Sequence, residues 1–198
     1  MTDWLLAAVP GYGPWLVAAV TFLSCLALPV PASLLMLAAG GFAAAGDLAL
    51  WQVAGGALAG AVAGDQLGYW AARAGGPALM SRLATTGARA ATLHKARALL
   101  AAKGAAAIFL TRWLLSPLGP YANLAAGATP LGWRRFTLAG TAGEAIWVGL
   151  YTGAGHAFGG NLQAATDFAG AIIGFLAAGA VALGLGLWLF RLARREAG

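Results

Sequence analysis

From Trp4 to Gly46 the chain carries no charged side chain. As one continuous helix that run would extend about 64 Å, twice the ~30 Å hydrocarbon core of a bilayer. It must therefore turn back on itself, and Pro29-Val30-Pro31 marks the place, because proline lacks the amide donor a helix needs. A second uncharged run covers Phe168–Phe190. Only 9% of the 198 residues are charged, against about 25% in a soluble domain. The sequence predicts an all-α polytopic membrane protein, a single integral domain over residues 1–198.

Residues 12–28 are expected to span, and 29–46 to form a short, glycine-rich re-entrant segment that returns to the outer side at Asp47. Residues 48–72 span again, with Gly55, Gly56, Gly60 and Gly64 spaced for close helix contact. Residues 76–103 read as a basic cytoplasmic segment. On it Leu93, Ala96, Leu99 and Leu100 share one helical face, suited to a helix lying on an anionic leaflet, with a solvated loop as the alternative. Residues 104–127 form a second re-entrant segment, broken at Ser116-Pro117-Leu118-Gly119-Pro120. Non-helical backbone at membrane depth is tolerated where it is buried in protein or lines a cavity. Residues 136–158 and 168–190 complete four spans, and 191–198 form a cytoplasmic tail.

The charges agree with that topology. Arg73 to Lys103, the pair Arg134-Arg135, and Arg191, Arg194 and Arg195 all fall on one side, the cytoplasm by the positive-inside rule. Asp47 and Asp167 fall on the other, and both termini are cytoplasmic. The net charge of +6 thus follows topology and points to no nucleic-acid partner. The opening Met-Thr-Asp-Trp lacks the positive region of a cleaved signal peptide. Cys25, alone of its kind, reads as a small buried hydrophobe. Neither His94 nor His156 has a partner at ligand spacing, and no nucleophile motif or phosphate-cradling loop appears. No catalytic residue, metal or cofactor is expected.

Three charges remain inside apolar sequence: Asp65, Arg112 and Glu144. Measured along a helix from Arg73, Lys103 and Arg135, each lies roughly 12–14 Å from the cytoplasmic boundary. A charge at such depth costs about 2.5–3.5 kcal/mol, so three on separate segments are expected to converge. The planar fork of Arg112 suits a phosphate. Burial favours a neutral carboxyl and a nearby guanidinium favours a charged one, so Asp65 and Glu144 could take up and release a proton during transport. A buried ion pair that only fixes packing is the alternative.

A repeat is visible. Pro29-Val-Pro31 leads to Leu37-Ala-Ala-Gly40, and Pro117-Leu-Gly-Pro120 leads to Leu124-Ala-Ala-Gly127. Each precedes a span with an Ala-Gly-acid step, at Asp65 and at Glu144. With the first break entered from outside and the second from inside, the repeats are inverted, as in transporters with sites near the midplane.

The order of these motifs resembles the DedA family of bacterial membrane proteins, related to the VTT or SNARE-associated Golgi protein domain. The matching pieces are Pro29-x-Pro31, Gly64-Asp65-Gln-Leu-Gly68-Tyr69 with Arg73, Thr111-Arg112-Trp113 with its prolines, Ala126-Gly127, Arg134-Arg135-Phe136, Gly143 and Trp147. They cover residues 20–160. The resemblance implies two facing re-entrant helices and translocation of a lipid or lipid phosphate, such as undecaprenyl phosphate, across the bacterial inner membrane, with dependence on the proton motive force. Asp65 and Arg112 fall on positions of functional weight. The chain departs from the pattern at Ala32 and Ser33, where an acid is common, and at Leu118, where a second arginine is common; Glu144 and Asn123 remain as alternative polar groups. The candidate transport residues are Asp65, Arg112, Glu144, Asn123, Pro117, Pro120 and Tyr69. The expected partner is a membrane lipid or lipid phosphate, with protons, and the glycine-rich spans permit a homo-oligomer without requiring one. A proton-driven small-ion or metabolite transporter and a non-transporting scaffold are the competing readings.

Overall fold

The structure, a computed structural model, describes residues 2–83, 87–159, 161, 163–164, 166–168, 170–171, 173–174 and 178. Most of the expected span 168–190 and the whole tail 191–198 lie outside the described residues. Among those described there is no strand.

The helices are α1 (Thr2–Cys25), α2 (Ala32–Ala45), α3 (Leu50–Leu83), α4 (Gly87–Lys103), α5 (Ala105–Trp113), α6 (Gly119–Gly127) and α7 (Trp133–Ala157). A 3-10 turn, Ser116–Leu118, joins α5 to α6. Helix α1 kinks at Gly13, and α3 at Gly76. Both glycines have positive φ and both precede a proline, which disfavours the helical region for the residue before it. Helix α1 ends with Ala27 at φ 64 and the Leu28 amide donating to the Leu23 carbonyl, just ahead of the Pro29–Pro31 break. At 14 residues, α2 is only about 21 Å long. Among the described residues no helix is long and apolar enough to cross a membrane. Helices α5 and α6 have nine residues each. Helix α3 has the length, but Gln52, Asp65, Gln66 and many glycines dilute its apolar character.

Glycine governs how the helices meet. On α3, Gly56, Gly60 and Gly64 lie in turn against the carbonyls of Pro14, Ala18 and Phe22, so α1 and α3 pack backbone to backbone for three turns. Helix α2 lies on α7, with Gly40 against the Thr152 carbonyl and Gly155 against the Leu37 carbonyl. Helix α6 lies on α3, with Gly127 against the Tyr69 carbonyl.

The apolar face of α4 is buried, Leu93, Ala96 and Leu100 packing with Ile108, Ala122 and Phe136. The face expected to meet a membrane surface is instead consumed by the protein core, and His94, Lys95 and Arg97 are left exposed. Among the described residues two large apolar clusters result, beside a small one of Leu37 and Ala154. One holds Val17, Leu35, Met36, Val53 and Trp147; the other holds Tyr69, Leu93, Ile108 and Phe136. Along α3, Asp65 falls between Ala61 of the first cluster and Tyr69 of the second. Along α7, Glu144 falls between Phe136 of the second and Trp147 of the first. The polar site therefore occupies the seam between two cores.

Candidate functional site

Arg112 stands in the last turn of α5, just before the helix breaks at the prolines. Its side chain reaches across α7 over Gly143, where a Cβ would come within 2.7 Å of Arg112 Cγ. Nη1 is 3.0 Å from Asp65 Oδ1, and Nη2 donates to Asn123 Oδ1 at 2.6 Å. Nε lies 3.6 Å from Glu144 Oε1, close enough for charge attraction and too far for a hydrogen bond. Asn123 closes the ring, its Nδ2 donating to Asp65 Oδ1 at 2.8 Å. The Gly119 carbonyl, in the broken stretch, accepts a long 3.5 Å bond from Nη1, and the Phe136 ring lies 5.8 Å from the guanidinium carbon.

All of these polar groups are buried: Asn123 is 0% exposed, Asp65 and Glu144 2%, and Arg112 4%. Charges so placed hold only when paired. The pairing is nonetheless incomplete, since Arg112 Nε and Glu144 Oε2 have no hydrogen-bond partner. Both residues line a small cavity of about 40 Å³, together with Ser24, Cys25, Thr111 and Ser116.

Asp65, Arg112, Glu144 and Asn123 are thus brought together from α3, α5, α7 and α6. Pro120 lines this cavity, and Pro117 lines a neighbouring one. Tyr69 is not in the cluster. It is 1% exposed, stacks on Phe136 with 4.6 Å between ring centroids, and donates to the Leu131 carbonyl at 3.0 Å. Tyr69→Phe keeps the stack and loses one hydrogen bond, so thermal unfolding in detergent is expected to show a loss of about 1 kcal/mol.

Cys25 is the residue that sequence reading left out of the site. It is buried as expected, but its thiol lies 3.9 Å from Glu144 Oε1 and makes a weak hydrogen bond there. A signal for it exists. Phe22-Leu-Ser-Cys25 and Phe109-Leu-Thr-Arg112 stand at the same offset as Leu37–Gly40 and Leu124–Gly127. Gly64 packs on Phe22 and Cys25 as Gly143 packs on Phe109 and Arg112. Cys25 is therefore the counterpart of Arg112 in the other half of the repeat.

Sulfur and carboxylate atoms of Cys25, Asp65 and Glu144 lie within 4.8 Å of one another. Metal ligands group in this way, but both carboxyls already face the same guanidinium, which occupies the cationic role. The arrangement fits an organic cation shared by two acids, open to an incoming anion or proton.

Comparison with known proteins bears on the same region. The VTT domain family matches residues 30–157, which include Asp65, Arg112, Asn123 and Glu144 and exclude Ser24 and Cys25. An uncharacterized membrane protein of Synechocystis sp. is 34% identical over 124 residues, 62% of this chain and 56% of that protein. The chain thus spans little more than half the length of that relative. No solved structure matches.

Proposed function

The chain belongs to the VTT-domain (DedA) family of membrane proteins, and we propose that within it this protein is a lipid translocase of the bacterial inner membrane. Its substrate is a lipid phosphate such as undecaprenyl phosphate, or a phospholipid, and it acts as a carrier rather than an enzyme. One observation carries the proposal: a buried arginine whose fork is held by Asp65 and Asn123 while its Nε, beside a cavity, makes no hydrogen bond. The Asp65 carboxylate and the Asn123 amide oxygen occupy the places two phosphate oxygens would take.

Charge counting supports exchange at this fork. Two ionised carboxyls around one guanidinium leave a net charge of −1, and one added proton neutralises the cluster. A proton bound by Asp65 releases Nη1, the phosphate oxygen takes its place, and the reverse steps release the headgroup. This is the proton-coupled form of the reading.

The exposed aromatic residues support a membrane arrangement. Trp51 and Trp70 on α3 are 75% and 50% exposed, and about 28 Å of helix separates them. That matches the ~30 Å hydrocarbon core with one tryptophan at each interface. Exposed Trp133, Arg134, Arg135 and Arg73 gather at the Trp70 end, the cytoplasmic side in this reading. In this reading helices α1, α3 and α7 cross, while α2 and the α5–α6 pair enter and return. Each short returning helix lies on the long helix of the opposite half, α2 on α7 and α6 on α3. Two-fold-related halves are expected to exchange partners in this way.

A second reading, a proton-driven small-ion transporter, is favoured by the size of the cavity beside Arg112, which at about 40 Å³ is small. Reconstitution separates the two. In phosphatidylcholine vesicles the purified chain is expected to move phosphatidic acid between leaflets faster than a neutral-headgroup lipid, and faster still with an imposed pH gradient. Ion flux without lipid movement supports the second reading; neither activity supports a scaffold.

A further inference from the structure

The Arg112 cavity is one of two that adjoin. Beside it lies a larger space of about 250 Å³, bounded by Leu28, Pro117 and Tyr121. Ser24, Ser116 and Pro120 line both, so these three residues form the boundary between an outer pocket and an inner chamber. The inner space is the smaller of the two, so a phosphate group is accommodated more readily in the outer one.

The boundary is made of two unlike parts. One wall is the end of α1, where Ser24 precedes the left-handed turn at Ala27. The other is the 3-10 turn, where Ser116 donates to the Arg112 carbonyl at a long 3.3 Å and is exposed. Ser24 and Ser116 line both spaces, and Arg112, whose Nε makes no hydrogen bond, lines the inner one. Ser24 precedes the stretch matched by the family, so this wall belongs to a part of the chain that the family pattern does not describe.

We propose that Ser24, Ser116 and Pro120 form a neck through which a phosphate monoester passes from the outer pocket to Arg112, with the two serine hydroxyls as its first hydrogen-bond donors. The inference rests on the lipid-phosphate reading and adds the route and two specificity residues. The prolines hold the turn wall stiff, so the neck opens by movement of the turn against the end of α1. A hydroxyl on each wall offers one donor apiece to a tetrahedral anion, and a quaternary ammonium headgroup has no acceptor for either.

The chain supplies its own probe. Cys25 is its single cysteine and lines the inner chamber, behind the neck. The full chain in phosphatidylcholine vesicles is treated with a small charged methanethiosulfonate, and the rate of Cys25 modification is followed by mass spectrometry. Ser116→Trp, and independently Ser24→Leu from the opposite wall, are expected to slow modification while the thermal midpoint holds. Leu28→Cys in a Cys25→Ser background, outside the neck, is expected to react fast and stay insensitive to Ser116→Trp. Inorganic phosphate, or phosphatidic acid added to the vesicles, is expected to protect Cys25. Ser24→Ala and Ser116→Ala are each expected to weaken that protection about tenfold, the loss of one hydrogen bond to a charged group.

Protection by both phosphate sources supports the neck and the lipid reading together. Protection by inorganic phosphate alone supports the neck for a free anion and overturns the lipid reading. Modification that neither blocking variant slows, in protein that keeps its midpoint, overturns the neck; so does a protection that both serine-to-alanine variants leave intact.

Discussion

Arg112→Ala is expected to be among the most damaging single substitutions in the chain, lowering stability by about 3–5 kcal/mol. The reason is electrostatic rather than volumetric. Asp65 and Glu144 are each 2% exposed and share the one guanidinium. Removing it leaves two carboxyls buried side by side with no counter-charge, and Asn123 cannot replace it, because its amide nitrogen already serves Asp65. The prediction carries its own control. Adding Asp65→Asn and Glu144→Gln to Arg112→Ala removes the orphaned charges and is expected to recover part of the loss. Thermal or denaturant unfolding in detergent reads both. If the single variant unfolds like the wild type, the charges do not interact as the geometry places them.

The second large effect concerns backbone contact. On α7, Gly155 lies against the Leu37 carbonyl of α2, and a Cβ there would overlap it. Backbone cannot turn aside as a side chain can, so Gly155→Ala must push α2 off α7. Overpacking of this kind costs about 1–3 kcal/mol. Gly149 and Gly153, on the same helix, have nothing within 4 Å of a built Cβ. Changing either to alanine is expected to stabilise by about 0.5–1 kcal/mol, the ordinary helix preference for alanine. Opposite signs within one helix are hard to obtain from propensity alone. Equal effects at Gly149 and Gly155 would remove the α2–α7 contact from the account.

Much of the site was legible because charge in apolar sequence is costly, and cost implies company. Asp65, Arg112 and Glu144 were found from apolar length and distance to basic clusters, and the structure places them within one ring of contacts. Asn123 was legible as a polar residue beside the broken helix, and it bridges Arg112 to Asp65. Cys25 was not legible from composition, since a lone cysteine in an apolar run looks like any small hydrophobe; its place emerges when Gly64 and Gly143 are seen to pack alike. Tyr69 lies outside the polar cluster for a different reason. It sits one helical turn after Asp65, close in sequence, yet its hydroxyl is turned to the Leu131 carbonyl. The periodic face of α4 was read correctly as apolar, but periodicity cannot say whether a membrane or a protein core covers it, and here Ile108, Ala122 and Phe136 do.

Small residues also hid the architecture. Helix α3 owes its close contacts with α1 and α6 to glycine, and the same glycines, with Gln52 and Gln66, lower its hydropathy below that of an ordinary span. A helix that packs this tightly presents backbone to its neighbours and has few large apolar side chains to signal a membrane.

The most direct test of the account is Arg112→Lys in phosphatidylcholine vesicles carrying phosphatidic acid. Lysine keeps the buried positive charge but lacks the planar fork that holds two oxygens at once. Arg112→Lys is expected to keep a thermal midpoint near that of the wild type while lipid movement falls to the protein-free rate. Arg112→Lys that moves phosphatidic acid as fast as the wild type, or a wild type no faster than empty vesicles, would contradict it.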